Sequence, residues 1–297
     1  MIALVYILLT LAGLFGAVVT WFRSPRKADV AIHFFLAMAL VMLADWIAFG
    51  WFGLYEYHPH LLATTVADAA LGEFLADIVF VPSLSVMLGS ILPGLAGILA
   101  GSVLVTGLEI LFLQWDIFHQ HGWQIWGTAV GFLFYFALLD LFWKDLRDER
   151  LPIERLRLIV RGCSLFSTIA LLTLALRGAE VVVTKLQVVP TYYGNQALGR
   201  FIWYMAVPFL PAYWALSGKG AARWGRVGAL TAAIYGLNWF LTSFDLQHFL
   251  APWSPLLDAL AQGLAISAAG LLEDLLISSC LRQRMRGGSP AERDRTR

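Results

Sequence analysis

The sequence predicts an all-α integral membrane protein of nine transmembrane helices, one helix followed by two parallel four-helix repeats. Three observations predict it. Of the 297 residues, 59% are hydrophobic and only 14% charged, whereas a soluble domain is about half apolar and about a quarter charged. The apolar residues fall into runs that match the roughly 20 residues of helix needed to cross the hydrocarbon core. Lys and Arg gather in alternate gaps between these runs, the pattern left when basic loops stay in the cytoplasm.

The runs are 2–22, 30–53, 66–90, 95–115, 123–143, 158–176, 201–216, 227–244 and 255–280. The first lacks a basic leader and a small-residue cleavage site, so it reads as a span and not as a signal peptide. With the N-terminus outside, the cytoplasm receives Arg23, Arg26 and Lys27, then Lys144, Arg147, Arg150, Arg155, Arg157 and Arg161, then Lys219, Arg223 and Arg226, then the tail from Arg282. Only Arg177, Lys185 and Arg200 fall outside. A miscount of one span breaks this alternation. The turn Leu92-Pro93-Gly94 has no basic residue to fix its side. Trp21, Tyr55, Trp115, Trp123, Trp143, Trp203 and Trp253 lie at span ends and form an interfacial aromatic belt.

The chain divides into a first helix with its basic loop (1–28), unit one (29–150), unit two (151–281) and a basic cytoplasmic tail (282–297) attracted to anionic lipid. The partner of such a chain is the lipid bilayer. A net charge of +1, spread over short segments, leaves no patch for nucleic acid. Cys163 and Cys280 form no C-x-x-C pair and read as inert packing residues.

Two stretches of the chain align. Gly107-Leu108-Glu109 leads to Asp116-Ile117-Phe118-His119, as Gly236-Leu237-Asn238 leads at the same spacing to Asp245-Leu246-Gln247-His248, and a tryptophan follows in each copy, Trp123 and Trp253. Upstream, Leu71-Gly72-Glu73-Phe74-Leu75 with Val81-Pro82 parallels Leu198-Gly199-Arg200-Phe201-Ile202 with Val207-Pro208, with one residue of slippage. Because four helices are an even number, the two units insert in one orientation and relate by an axis along the membrane normal. The competing reading is that similar interfacial needs produced similar residues twice.

The stretch 109–144, with its buried carboxylate, outer Asp-Ile-Phe-His-Gln-His-Gly-Trp loop and aromatic span ending in Phe142-Trp143-Lys144, resembles a family of uncharacterised multi-pass membrane proteins of spore-forming Firmicutes. The resemblance covers residues 41–150 best and implies a bacterial plasma membrane. A weaker likeness is to membrane-embedded lycopene cyclases, which use tandem helical units, loop tryptophans and intramembrane carboxylates. Their Pro-x-Glu-Glu motif is absent; Leu272-Glu273-Asp274-Leu275 is nearest and lacks the proline, which counts against the catalytic reading.

An ionisable residue in a span costs about 2.5 to 3.5 kcal/mol on insertion scales, so each asks for a reason. Asp45, Glu73, Asp77 and Glu109, with Asn238 at the repeat position of Glu109, all fall in the outer half of the bilayer. Glu73 and Asp77 are four apart and share a helix face. Two close carboxylates in low dielectric resist joint ionisation, so one is expected to hold a proton. Arg200 takes the repeat position of Glu73 and is its expected counter-ion.

Two readings stay open. One is an outward polar pocket for a proton, a small cation or an amine-bearing molecule; the other is interhelical hydrogen bonding that locks the bundle. On the outer loops, Asp116, His119, His121, Asp245 and His248 form D-x-x-H patterns whose imidazole and carboxylate groups suit zinc-like ions. His58 and His60 share these loops, while His33 reads as interfacial at the inner end of its span. Asp140, Glu273 and Asp274 are expected to snorkel toward the basic clusters and pair there. Pro82, Pro208 and Pro211 break their spans. No Walker A loop, dinucleotide fingerprint, H-E-x-x-H or nucleophile constellation occurs, so no catalytic residue or cofactor is assigned. Three functions fit: a binder or transporter of a small solute or cation, an intramembrane enzyme on a lipid or isoprenoid, or an assembly protein of the membrane.

Overall fold

In hydrocarbon every backbone N–H and C=O must be paired within its own segment, so apolar runs become helices. A computed structural model describes residues 2–52, 54–179, 182–184, 207–244, 247–250 and 253–286. The described chain is mostly helical. Among the described residues, seven helices are long and apolar enough to cross a membrane: Leu4–Arg23, Lys27–Ala48, Thr65–Ile91, Leu95–Gln114, Ile125–Arg147, Ile153–Leu176 and Pro255–Met285. Their outward faces carry large apolar side chains, with Phe15 69%, Val103 71% and Phe134 74% exposed, while Asp45, Glu73 and Asp77 are buried. This reversal of the water-soluble pattern is what a lipid solvent imposes, and it makes the chain a multi-pass membrane protein.

The elements are α1 (Ile2–Arg23), α2 (Lys27–Asp45) running into a π-helical turn (Trp46–Trp51), and β1 (Tyr55–Tyr57). Next come α3 (Thr65–Glu73), a second π-helical turn (Phe74–Phe80) and α4 (Val81–Ile91), one continuous rod with Pro82 in the first turn of α4. Then follow α5 (Leu95–Gln114), β2 (Phe118–Gln120), α6 (Ile125–Arg147), α7 (Ile153–Gly178) and β3 (Val182–Thr184). The remaining elements are α8 (Val207–Leu216), α9 (Gly220–Ser243), β4 (Gln247–Phe249) and α10 (Pro255–Arg286). Residues 201–206 of the seventh apolar run, and the tail beyond 286, lie outside the described residues.

Two antiparallel strand pairs mark one end of the bundle. Tyr55, Glu56 and Tyr57 face Gln120, His119 and Phe118, and Val182, Val183 and Thr184 face Phe249, His248 and Gln247. The other end is basic. There Arg26 pairs with Glu149 and donates to Arg147 O at 2.6 Å, Arg284 donates to Leu151 O at 3.1 Å, and Ala28 N donates to Gln283 Oε1 at 2.8 Å. The turn after α4 belongs here too, because Gly94 N donates to Asp140 Oδ1 at 2.8 Å and Asp140 pairs with Lys144 at 2.6 Å. Gly94 has φ +84°, a conformation that glycine adopts without strain.

Helix α2 lies at the centre, packed against α4, α6, α7 and α10. Helix α1 lies outside, against α4 and the second π-helical turn, with Gly13 on Phe80 and Gly16 on Met87. Across the middle, Met38 and Met42 of α2 share one buried cluster with Leu165 and Ile169 of α7. Both cysteines are free.

Candidate functional site

A cavity of about 180 Å³ opens near the strand end of α2, α3–α4, α5 and α6. Eight rings line it, from Phe80, Phe112, Phe118, Phe132, Trp123, Tyr55, Tyr57 and Tyr135. Three carboxyls line it, from Asp45, Asp77 and Glu109, together with the Thr128 hydroxyl and the polar tips of the tyrosines and Trp123. Each carboxyl comes from a different rod, so no local sequence window contains the site. The two π-helical turns also meet here: Asp45 immediately precedes the first and Asp77 lies inside the second. Such wide turns re-aim side chains within a helix and recur at functional sites.

The strand pair closes the cavity. Gly72 permits this, because a Cβ there would lie 2.7 Å from Cβ of Tyr57, and the Tyr6 hydroxyl donates to Gly72 O at 2.8 Å. Tyr55 donates to Asp45 Oδ1. Burial first, and the Asp45 carboxylate next, push the Tyr55 phenol well above its ordinary range, so it remains a donor. Gln120 of β2 donates to Glu109 Oε1 at 2.7 Å, the Thr128 hydroxyl lies beside Glu109, and Trp123 Nε1 donates to Thr128 Oγ1 at 2.5 Å. Among the described residues, Asp77 Oδ2 and Glu109 Oε2 have no hydrogen-bond partner, and their side chains are buried, at 4% and 7% exposure.

The structure therefore brings together Asp45, Asp77 and Glu109 but leaves two of the other expected residues elsewhere. Glu73 is buried at 1% exposure and lies outside the cavity lining, on the side of Tyr6 and Tyr57. Asn238 sits on α9, where Nδ2 donates to Asp258 Oδ2 at 2.9 Å and to Pro255 O at 3.3 Å. Asp258 also receives Gln262 Nε2 at 2.9 Å and Trp253 Nε1 at 3.4 Å. Sequence reasoning missed Asp258 and Gln262 because they occupy the first turns of a helix, where polar residues are ordinary. Arg200 lies outside the described residues.

The histidine loops make pairs. Asp116 adopts φ +59° at the end of α5, a conformation that aspartate tolerates, so the first residue of D-x-x-H serves the turn into β2. Its carboxylate lies 3.2 Å from His119 Nε2, while Glu56 lies 3.3 Å from His58 Nε2 and 3.8 Å from His121 Nε2. Among the described residues no three His, Cys, Asp or Glu side chains gather to hold a metal ion. Asp245 and the His248 side chain lie outside the described residues.

Two further expectations change. Glu273 pairs with the basic clusters as expected but does so without snorkelling: it is 2% exposed and accepts Arg161 Nε and Nη2, both at 3.0 Å, and Arg223 Nη2 at 2.7 Å. Two facing guanidiniums compensate its charge inside the bundle. His33 is interior and not interfacial, at 1% exposure, with its ring edge-on to Trp143 at 4.9 Å, because α2 is the central helix and packing surrounds it at both ends. Comparison with protein families, curated proteins and solved structures gives no match for this chain.

Proposed function

We propose that the chain binds a compact cation in this cavity and carries it across a bacterial plasma membrane. One observation carries the reading: three carboxyls from three rods share one small cavity, two of them with an unpartnered oxygen, among aromatic faces. Carboxylates supply charge, and ring faces attract ammonium groups through their quadrupoles. The volume favours a compact ligand over a long isoprenoid chain.

The architecture in this proposal is nine spans with the N-terminus outside, the strand end outward and the basic end cytoplasmic, built as one helix plus two parallel repeats. Several correspondences support the repeat. Strand β1 and β3 begin 127 residues apart and β2 and β4 begin 129 apart, from Tyr55 to Val182 and Phe118 to Gln247, matching the offsets between the aligned motifs. Trp123 donates to Thr128 beside Glu109, as Trp253 donates to Asp258 beside Asn238. Helices α2 and α7, equivalent in this scheme, pack on each other, as equivalents beside an axis do. The resemblance of residues 109–144 to the Firmicutes family supports the bacterial location.

The test is a titration of purified full-length protein with tetramethylammonium, Na⁺ and K⁺, read by the fluorescence of Trp123 in the cavity wall. At least one cation should give a saturable change, with affinity falling tenfold or more in Glu109→Gln and Asp77→Asn and the melting temperature close to that of the unaltered chain. No saturable change with any of the three, or identical isotherms in both variants, would refute the reading. Loss of folding in both variants would favour carboxyls that lock the bundle.

A further inference from the structure

Toward the basic end, below the carboxyl cavity, lies a second and much smaller one of about 20 Å³, lined by His33, Ser85, Gly94 and Asp140 among others. That is room for one water, and the site offers it several polar partners. Between the two cavities stands a hydrogen-bonded pair. Tyr135 lines the larger cavity and Ser85 the smaller, and Ser85 Oγ lies 3.1 Å from the Tyr135 hydroxyl. The Tyr135 hydroxyl also donates to Ala37 O at 3.0 Å, and Ser85 Oγ lies 2.9 Å from Val81 O.

His33 is the unexplained member. Neither ring nitrogen is in hydrogen-bonding geometry with a described residue, although the Ser85 backbone approaches the ring. A fully buried imidazole held by no polar contact stronger than the Ser85 backbone is costly, and a packing role needs no imidazole. The charged group facing it is Asp140 of α6, itself held by Lys144. On its own helix Asp29 lies one turn toward the basic end, 3.5 Å from Arg26. The facing rod α3–α4 contributes Ser85 and no charge at this level.

We propose that Tyr135, Ser85, His33 and Asp140 form a proton path joining the carboxyl cavity to the basic end. In the structure Ser85 Oγ donates to Tyr135 Oη and Tyr135 donates to Ala37 O, so both hydroxyls first rotate; a proton reaching Tyr135 Oη from water in the larger cavity then releases the hydroxyl's own proton to Ser85 Oγ. Ser85 in turn releases its proton to a water in the smaller cavity, which passes one to His33. The imidazole accepts at one nitrogen and releases from the other, toward Asp140 and the basic end. Each hydroxyl ends neutral, one proton has crossed, and rotation of the hydroxyls restores the starting bonds. The path deepens the cation-binding reading, on which it rests for its outer terminus, by making the proton an ion that the chain itself conducts.

The test uses the full chain in liposomes with an internal pH dye, under a negative-inside potential set by K⁺ and valinomycin, with no other substrate. Insertion direction is immaterial, since a path conducts both ways. Acidification should run at least tenfold faster than in protein-free vesicles and fall about tenfold in Tyr135→Phe, Ser85→Ala and His33→Gln, with thermal melts confirming folding. Ser85→Ala is the mildest change and guards against misfolding of the others. Acidification no faster than in empty vesicles would overturn the path, as would full rates in all three folded variants. Cation binding in detergent requires no proton flux, so failure of the path and failure of the cation site are read separately.

Discussion

Replacing Glu273 by glutamine tests whether the buried ion cluster of unit two holds three helices together. The Glu273 side chain is 3% exposed, facing Arg161 at 8% and Arg223 at 7%, so salt and water screen it little. It accepts two bonds from Arg161 and one from Arg223, tying α7 and α9 to α10. In Glu273→Gln, Arg223 keeps Leu216 O at 3.0 Å and Asp274 at 2.6 Å. Among the described residues, Arg161 keeps no anionic partner, retaining the face of Tyr213, 5.4 Å from its guanidinium. A buried cation stripped of its partner costs about 3–5 kcal/mol. Asp274→Asn is the control: that side chain is 61% exposed, and an exposed pair contributes about 0–1 kcal/mol. Unfolding by sodium dodecyl sulfate in mixed micelles, followed by circular dichroism, should rank the two variants well apart. Combining Glu273→Gln with Arg161→Gln should cost less than the sum of the single changes, because the second removes the cation that the first strands. A loss under about 1 kcal/mol for Glu273→Gln, or equal losses for the two single variants, would refute the reasoning.

In a background lacking Cys163 and Cys280, cysteines at His58 and His121 should react with an impermeant thiol reagent added to intact cells, and one at Lys219 should not; labelling at Lys219 would overturn the orientation. Lys219 is preferred to Gly220, whose φ of +55° disfavours a side chain. Gly101→Leu should weaken the α5–α6 contact by about 1–3 kcal/mol, because its Cβ would lie 2.6 Å from the Phe136 ring and 2.9 Å from Leu88. Thermal melting reads the loss, and an unchanged melting temperature would show that this contact yields freely.

The sequence alone determined the solvent of this protein and the course of its helices. Runs such as 95–115 and 123–143 became Leu95–Gln114 and Ile125–Arg147, because backbone pairing in hydrocarbon is local and leaves the segment no alternative. It also marked Asp45, Asp77 and Glu109 as costly and therefore informative, since the penalty for a charge in lipid depends on depth along one helix. Which of the costly residues meet was decided by tertiary structure. Asp45, Asp77 and Glu109 are brought to one cavity by the packing of three rods and two π-helical turns, while Glu73, four residues from Asp77, is not among its lining residues. His33 looked interfacial by its position in the chain, yet the central placement of its helix buries it. Glu273 was expected to reach for water until Arg161 and Arg223, from two other helices, compensated it inside. Period and hydropathy describe each helix against its solvent, whereas a polar group's partners depend on the rotation and neighbours of helices distant in the chain, which are set only when side chains pack.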